Sequence, residues 1–97
     1  MTEASQPAAA LDELARCREQ IERIDNDIVA LLARRMQIGK RTGELKRAAN
    51  LPILDPTREA AVIRRVTEVA RTAGLPSEPV RDVFWQIVGM SRHAQDI

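Results

Sequence analysis

Arg35 lies in a row of apolar residues, and its position there is the first indication of a binding site. A guanidinium is costly to bury unless an anionic group pairs with it. Lys46 follows eleven residues later, about three turns along a helix, so both cations project from nearly the same face. The two residues therefore predict a site for a small anionic molecule. The alternative is an ion pair between Arg35 and an acidic side chain such as Glu59, with Lys46 exposed to solvent.

Two pairs of polar residues extend this set. Ser91 and Gln95 stand one helical turn apart near the end of the chain, and Arg58 and Glu59 are adjacent in its middle. Gln95 offers both a donor and an acceptor, which suits a polar ligand. Taken alone, the first pair is typical of a polar helix end and the second of a surface charge pair. Only together with Arg35 do these residues indicate a site.

The composition excludes several classes of function. One cysteine, Cys17, and one histidine, His93, are too few for a zinc site or an internal disulfide. Fifteen basic and fourteen acidic residues leave a net charge of +1, without the positive patch typical of nucleic-acid binding. Residues 1–10 lack the features of a secretory signal, and no segment approaches the ~20 apolar residues that span a bilayer. We therefore expect a cytoplasmic protein without a metal, nucleic-acid or membrane partner.

Three helices are expected to position the candidate residues. Helix breakers separate a Pro-free stretch from about Leu11 to Ala48, a second from Pro56 to about Ala73 and a third from Ser77 to about Ala94. Asp55 is suited to cap the second helix, because a proline follows it at the first helical position. Gly74 is suited to the left-handed conformation that ends this helix. The sequence thus predicts an all-α fold with a long first helix.

The apolar row of the first helix predicts contact with a second copy of the chain. Its members alternate in spacing between three and four residues: Leu14, Cys17, Ile21, Ile24, Ile28, Leu31, Arg35, Ile38, Thr42 and Leu45. That spacing is typical of helices packed along each other. A helix of about 36 residues is ~54 Å long, whereas a compact monomer of this size is roughly 30 Å across. We therefore expect a homodimer. Within each chain we expect a flexible tail over residues 1–10 and one domain over residues 11–97.

The chain resembles the all-helical (type II) class of chorismate mutases over residues 14–95. Five segments carry the resemblance in order: Cys17–Asp25, Leu31–Arg35, Gly43–Lys46, Asp55–Glu59 and Phe84–Gln95. The resemblance implies an intertwined homodimer that rearranges chorismate to prephenate, a step of aromatic amino acid biosynthesis. Because the chain ends soon after Gln95, we expect no fused dehydratase or regulatory domain and no feedback control within it. Control by a separate regulatory enzyme stays open.

The resemblance implies that two arginines bind the two carboxylates of the substrate. Arg35 matches one of them, and Arg18 matches an arginine that reaches the site from the partner subunit. Guanidinium suits this role because it binds a carboxylate at two points and stays charged. Seventeen residues separate Arg18 from Arg35, which is ~25 Å along a helix, so one small ligand cannot touch both within a single chain. Arg58 and Ser91 match supporting contacts.

The remaining matches fit a rearrangement that needs no cofactor. A C–O bond breaks as a C–C bond forms, so the enzyme has only to hold a folded conformer and stabilise negative charge on the ether oxygen. Lys46 and Gln95 match donors to that oxygen, and Glu59, helped by a backbone group near Asp55, matches the acceptor of the ring hydroxyl. A neutral amide at Gln95 donates at any pH, so we expect little loss of activity between about pH 6 and pH 8. The candidates for an apolar wall that excludes water are Ile38, Ile87 and Val88.

Three other functions stay open. Isochorismate-pyruvate lyases are similar in fold, and residues 24–29 and 34–36 resemble theirs, although the match over Asp55–Glu59 favours the mutase. A mutase that acts on 4-amino-4-deoxychorismate would use the same residues, because an amine in place of the ring hydroxyl also suits Glu59. A non-catalytic helical dimerisation module would explain the apolar row but not Arg35 within it.

Overall fold

The computed structural model describes residues 5–96, and every regular element over that range is an α-helix. Helix α1 spans Ser5–Ala48, α2 spans Pro56–Thr72 and α3 spans Ser77–Asp96. The expected all-α fold, with three helices of which the first is long, is therefore confirmed. None of these three helices is both long enough and apolar enough to cross a membrane.

Helix α1 begins earlier than the sequence predicts. Residues 5–10 are helical, although a flexible tail is predicted there. Three alanines, which are the strongest helix formers, follow Pro7. A proline in the first turn lacks only an N–H group that would have no helical partner anyway. Residues 1–4 lie outside the described residues, so the division into a tail and a domain from residue 11 stays a prediction.

Backbone hydrogen bonds and capping side chains hold the connections between helices. After α1, Asn50 takes a left-handed φ of 57°, and the amide of Leu51 donates to the Lys46 carbonyl at 2.8 Å. Asp55 caps α2 as predicted: its Oδ1 accepts a backbone hydrogen bond of 3.0 Å from the first turn. Gly74 follows the end of α2 with a φ of 74°, also as predicted. These residues fix where α1 ends and where α2 begins and ends.

The chain divides into two compact units, residues 1–32 and residues 33–97. In the first unit the described residues all belong to α1, and the side chains of residues 6–31 are exposed. In the second unit α2 packs against α3. The buried apolar residues of the described chain are Val62, Ile63, Val66, Ala70 and Val88. The second unit therefore contains the core, and it contains every candidate site residue except Arg18.

Candidate active site

A cavity of about 340 Å³ lies between the C-terminal part of α1, the start of α2 and the end of α3. That volume is in the range of small-molecule sites. Seven of the eight polar residues that the sequence singles out line it: Arg35, Lys46, Asp55, Arg58, Glu59, Ser91 and Gln95. Arg18, the eighth, belongs to the first unit, has an exposed side chain and is not part of this lining. One chain therefore brings together all the expected site residues except the one that is expected from a partner subunit.

Arg35 is a half-buried cation without a carboxylate partner among the described residues. Its Nη1 donates to the Oγ of Ser91 at 2.6 Å, and Ser91 is buried. Burial lowers the pKa of Arg35, and the positive charges of Arg65 and Arg58 lower it further. The alternative ion pair with Glu59 is wrong, because that carboxylate binds another arginine. Arg35 thus presents a positive charge that an anionic ligand would balance.

Lys46 and Gln95 are hydrogen bonded to each other in the wall of the cavity. The Lys46 Nζ donates to the Gln95 Oε1 at 2.6 Å and to the carbonyl of Ile53 at 2.8 Å. An ammonium group has three protons, so one stays available to a ligand. Since the amide oxygen of Gln95 is the acceptor, its NH₂ group is the part left to donate. Each residue therefore offers a donor, and the alternative of a solvent-exposed Lys46 is wrong because the residue is half-buried.

Glu59 forms a two-point ion pair with Arg92, a residue that sequence reasoning misses. The Arg92 Nε donates to Glu59 Oε2 at 2.8 Å, and its Nη2 donates to Oε1 at 2.6 Å. The hydrogen bonds from Arg92 lower the pKa of the Glu59 carboxyl, and the charges of Arg92 and Lys46 add to this effect against opposing contributions from burial and Asp55. The alternative of a surface ion pair between Arg58 and Glu59 is wrong, since the Glu59 side chain is only 16% exposed and binds α3. Glu59 is therefore an ionised acceptor that α3 holds in place.

Arg65 is a second residue that sequence reasoning misses, and it lines the cavity. It follows Arg58 by seven residues, with Val62 between them at intervals of four and three, so the three side chains share one face of α2. That spacing is the signal that identifies Arg65. For Arg92 the signal is its place four residues after Val88, a core residue of α3. Both signals become useful only once the inward face of each helix is known.

Positive charge dominates the cavity wall. Its charged residues are four cations and two carboxylates: Arg35, Lys46, Arg58 and Arg65, with Asp55 and Glu59. The Asp55 carboxylate caps α2, and the Glu59 carboxylate pairs with an arginine that is not part of the wall. The four cations therefore exceed the negative charge available to them, and the wall suits a ligand with more than one negative charge.

Apolar side chains complete the wall, and a glycine near it allows α3 to approach α1. Ile38 and Val88 line the cavity as expected, whereas Ile87 is not part of the lining. A Cβ atom at Gly43 would come within 2.8 Å of the Gln95 Cα and 2.9 Å of its carbonyl carbon. Such distances leave no room for a side chain, so Gly43 is required for the close approach of the two helices.

Most of the chain is similar to known chorismate mutases. Residues 17–96 match the family model of type II chorismate mutases. A bifunctional chorismate mutase/prephenate dehydratase from Aquifex aeolicus is 33% identical over 81 residues, which cover 80% of this chain and 22% of that protein. An intracellular chorismate mutase from Mycobacterium tuberculosis is 38% identical over 65 residues, 67% of this chain and 59% of that protein. This chain thus spans less than two thirds of the length of either relative.

A solved structure resembles the fold as well as the sequence. It is that of a conserved hypothetical protein from Pyrococcus furiosus, with a TM-score of 0.70 and 35% sequence identity. The match covers 86% of this chain and 95% of that one.

Proposed function

We propose that this chain, which belongs to the type II chorismate mutase family, rearranges chorismate to prephenate in the cavity described above. The observation that carries the proposal is Arg35. It is a half-buried guanidinium that is hydrogen bonded to a neutral hydroxyl and has no carboxylate partner among the described residues. Such a group is costly to leave unpaired. Chorismate is a dianion with two carboxylates, so it supplies the charge that this wall lacks.

The reaction is intramolecular, and it balances without a co-reactant. The C–O bond of the enolpyruvyl ether breaks while a C–C bond to the ring forms, and negative charge grows on the ether oxygen in the transition state. The remaining proton of the Lys46 ammonium and the NH₂ group of Gln95 donate to that oxygen. Because both donors are held before the reaction begins, they stabilise the charge without reorganising. Loss of one such donor typically costs ~10²–10³ in turnover.

The other groups of the substrate fix its folded conformer. Arg35 binds one carboxylate, with Arg58 in support, and Arg18 of the partner subunit binds the other. Glu59 accepts a hydrogen bond from the ring hydroxyl, with a backbone group near Asp55 as a second contact. Holding a rare folded conformer removes much of the entropic part of the barrier.

The intertwined homodimer is the second part of the proposal, and the exposed apolar row of α1 supports it. The seven aliphatic members of the row are 43–63% exposed: Leu14, Ile21, Ile24, Ile28, Leu31, Ile38 and Leu45. No side chain from residue 6 to residue 31 is buried. An exposed apolar surface of this kind marks an interaction site, and the alternating spacing of three and four suits a second copy of the same helix. In this dimer Arg18 enters the cavity of the partner.

We place the reaction in the cytoplasm and in aromatic amino acid biosynthesis. The relative from M. tuberculosis is named an intracellular enzyme. The relative from A. aeolicus combines chorismate mutase with a dehydratase that acts on prephenate, which is the product proposed here. Cell fractionation followed by a mutase assay tests the location, and activity confined to a membrane or extracellular fraction would contradict it.

The products formed by the purified protein test the reaction. Chorismate, isochorismate and 4-amino-4-deoxychorismate are incubated with it separately, and the products are analysed by mass spectrometry and NMR. Prephenate, an isomer with the mass of chorismate, supports the proposal. Release of pyruvate from isochorismate indicates a lyase instead, and conversion of the amine alone indicates a mutase of the amino substrate. If none of the three compounds reacts, the proposal fails and the dimerisation module is the better account.

Substitutions of the two donors test the mechanism. Lys46→Ala and Gln95→Ala should each lower kcat by ~10²–10³, with an unchanged circular dichroism spectrum. Lys40→Ala is the matched control, because it removes the same charge from an exposed position of α1 that does not line the cavity. The control should keep the kcat of the wild type. Donor variants that stay within a few fold of the control would refute the roles proposed for Lys46 and Gln95.

Hybrid dimers test whether Arg18 acts in the cavity of the partner. Arg18→Ala and Arg35→Ala chains are expressed together with different affinity tags, and the hybrid is purified through both tags. In the hybrid, the Arg18→Ala chain keeps its own Arg35 and receives an intact Arg18 from its partner, so one of its two sites is complete. About half of the wild-type activity should return. A hybrid as inactive as its parents would refute action across the dimer. A wild-type protein that sediments as a monomer and is fully active would refute the dimer itself.

A further inference from the structure

Arg92 contacts a carboxylate of the cavity wall without lining the cavity itself. Glu59 lines the cavity, and Arg92 binds both of its oxygens, at 2.6 and 2.8 Å. Arg92 lies instead in the wall of a separate cavity of about 400 Å³, together with His93 and Asp96. It is therefore a fixed positive charge directly behind the group that, in the proposed function, binds the ring substituent of the substrate.

The ion pair changes what Glu59 can bind. Each carboxylate oxygen has a second lone pair, so Glu59 still accepts a hydrogen bond from a hydroxyl group. Its negative charge is balanced by the guanidinium of Arg92, so a cation placed beside it gains much less attraction than a lone carboxylate would supply. An aliphatic amine is protonated and positively charged at neutral pH. A hydroxyl therefore suits the pair, and an ammonium group does not.

The other charges of the cavity wall, taken together, also disfavour an ammonium group on the substrate. Lys46, Arg58 and Arg65 add positive charge to the cavity. The remaining carboxylate, Asp55, opposes this effect with a single negative charge, which the three cations outnumber. Solvent weakens the effect of Arg92, since its side chain is 41% exposed. The expected discrimination against a cationic substituent is thus measurable but moderate.

We propose that Arg92 is a specificity-determining residue, which restricts this site to a substrate with a hydroxyl rather than an amine at the ring position beside Glu59. Arg92 acts through Glu59 and does not touch the substrate, so it is a positioning residue. The inference rests on the proposed function and deepens it, because it selects chorismate over 4-amino-4-deoxychorismate as the substrate.

The test measures kcat/KM for both compounds in the wild type and in two variants of Arg92. The wild type should prefer chorismate by at least about fivefold, and Arg92→Gln should lower the preference about fivefold, the upper end of what one charge interaction contributes in a partly exposed setting. Arg92→Lys keeps the positive charge and should retain most of the preference. Arg81→Gln is the matched control: it removes the same charge from α3, where Arg81 lies 3.9 Å from Glu78 and outside the cavity lining. Its preference should equal that of the wild type.

The outcomes separate the inference from the function on which it rests. A wild type that converts neither compound defeats the proposed function. A wild type that rearranges chorismate but shows the same preference as Arg92→Gln, or that prefers the amine, overturns only the role of Arg92. Circular dichroism checks that the variant folds, and Arg92→Met, which keeps an apolar stem, replaces Arg92→Gln if that variant is unfolded. A merely structural role would lower kcat/KM for both compounds equally and leave the preference unchanged, which also overturns the inference.

Discussion

Gly43→Ala should damage catalysis more than folding, because the added methyl group meets the backbone that carries Gln95. A Cβ atom at residue 43 lies 2.8 Å from the Gln95 Cα, whereas ordinary contact begins at 3.4 Å. The conflicting atoms belong to the main chain of α3, so a change of side-chain rotamer does not relieve the conflict. The end of α3 must therefore move by about 0.6 Å or more.

Two opposing contributions set the change in stability, and displacement of Gln95 sets the change in activity. Alanine is favoured over glycine within a helix by ~1 kcal/mol, and overpacking costs about 1–3 kcal/mol. The free energy of unfolding should thus fall by about 0–2 kcal/mol. Gln95 accepts hydrogen bonds from Lys46 at 2.6 Å and from Arg47 at 2.8 Å, and both depend on where α3 ends. Because a misplacement of about 1 Å can cost ~10²-fold in rate, we expect kcat to fall roughly 10- to 100-fold.

The assay compares three glycine-to-alanine variants by chorismate turnover and by thermal unfolding. Gly89→Ala meets nothing within 4 Å, so it should gain up to ~1 kcal/mol of stability and keep its kcat. Gly39→Ala places a Cβ 3.2 Å from the Ser91 Oγ, a side-chain atom that can move, so its effect should be intermediate. A Gly43→Ala enzyme with a kcat within twofold of Gly89→Ala would refute the reasoning. So would a loss of activity that only follows the fraction of unfolded protein.

Three further predictions follow from single interactions. Asp55→Ala removes the cap of α2 and should lower the free energy of unfolding in urea by about 1 kcal/mol; an unchanged midpoint would argue against the cap. The Glu59 carboxyl has a lowered pKa in the folded state, chiefly through its hydrogen bonds to Arg92, so its stabilising effect is present above its unfolded pKa of about 4.3 and disappears as the pH falls through the lower folded value. The stability difference between wild type and Glu59→Gln should therefore shrink between pH 7 and pH 3 in urea titrations, and a constant difference would contradict this. Arg65→Ala should raise KM for chorismate severalfold at low salt with little change in kcat, whereas Arg64→Ala, which removes an exposed charge outside the lining, should not; equal KM values would exclude a binding role for Arg65.

Helix limits were predictable where one residue dictates the backbone conformation. Asp55 caps α2 with its carboxylate, just before a proline, and Gly74 takes the left-handed φ that ends the helix, so each acts on the adjacent backbone and lies where the sequence predicts. The start of α1 was not predictable, because Pro7 is equally compatible with an irregular tail and with the first turn of a helix. Because the sequence around Pro7 fits both conformations, the helix that follows determines which of the two forms.

The relative positions of the site residues were predictable when the residues share a helix and less so when they come from different helices. Arg35 and Lys46 share α1, and the helical period places them on one face without further information. Gln95 comes from α3, and only the family resemblance led us to expect it beside Lys46. The pairing of Glu59 with Arg92 depends on how α2 crosses α3, which the spacing of neither helix determines.

The short segment between α1 and α2 is hydrogen bonded to both the backbone and the side chain of Lys46. The carbonyl of Lys46 accepts from the amide of Leu51, and its ammonium donates to the carbonyl of Ile53. Surface connections usually accommodate inserted or deleted residues, but here a change in length would shift the carbonyl that aims the ammonium group. Evolutionary variation in this loop should therefore occur by substitution at constant length, and a single inserted glycine should impair the rearrangement even in a fully folded protein.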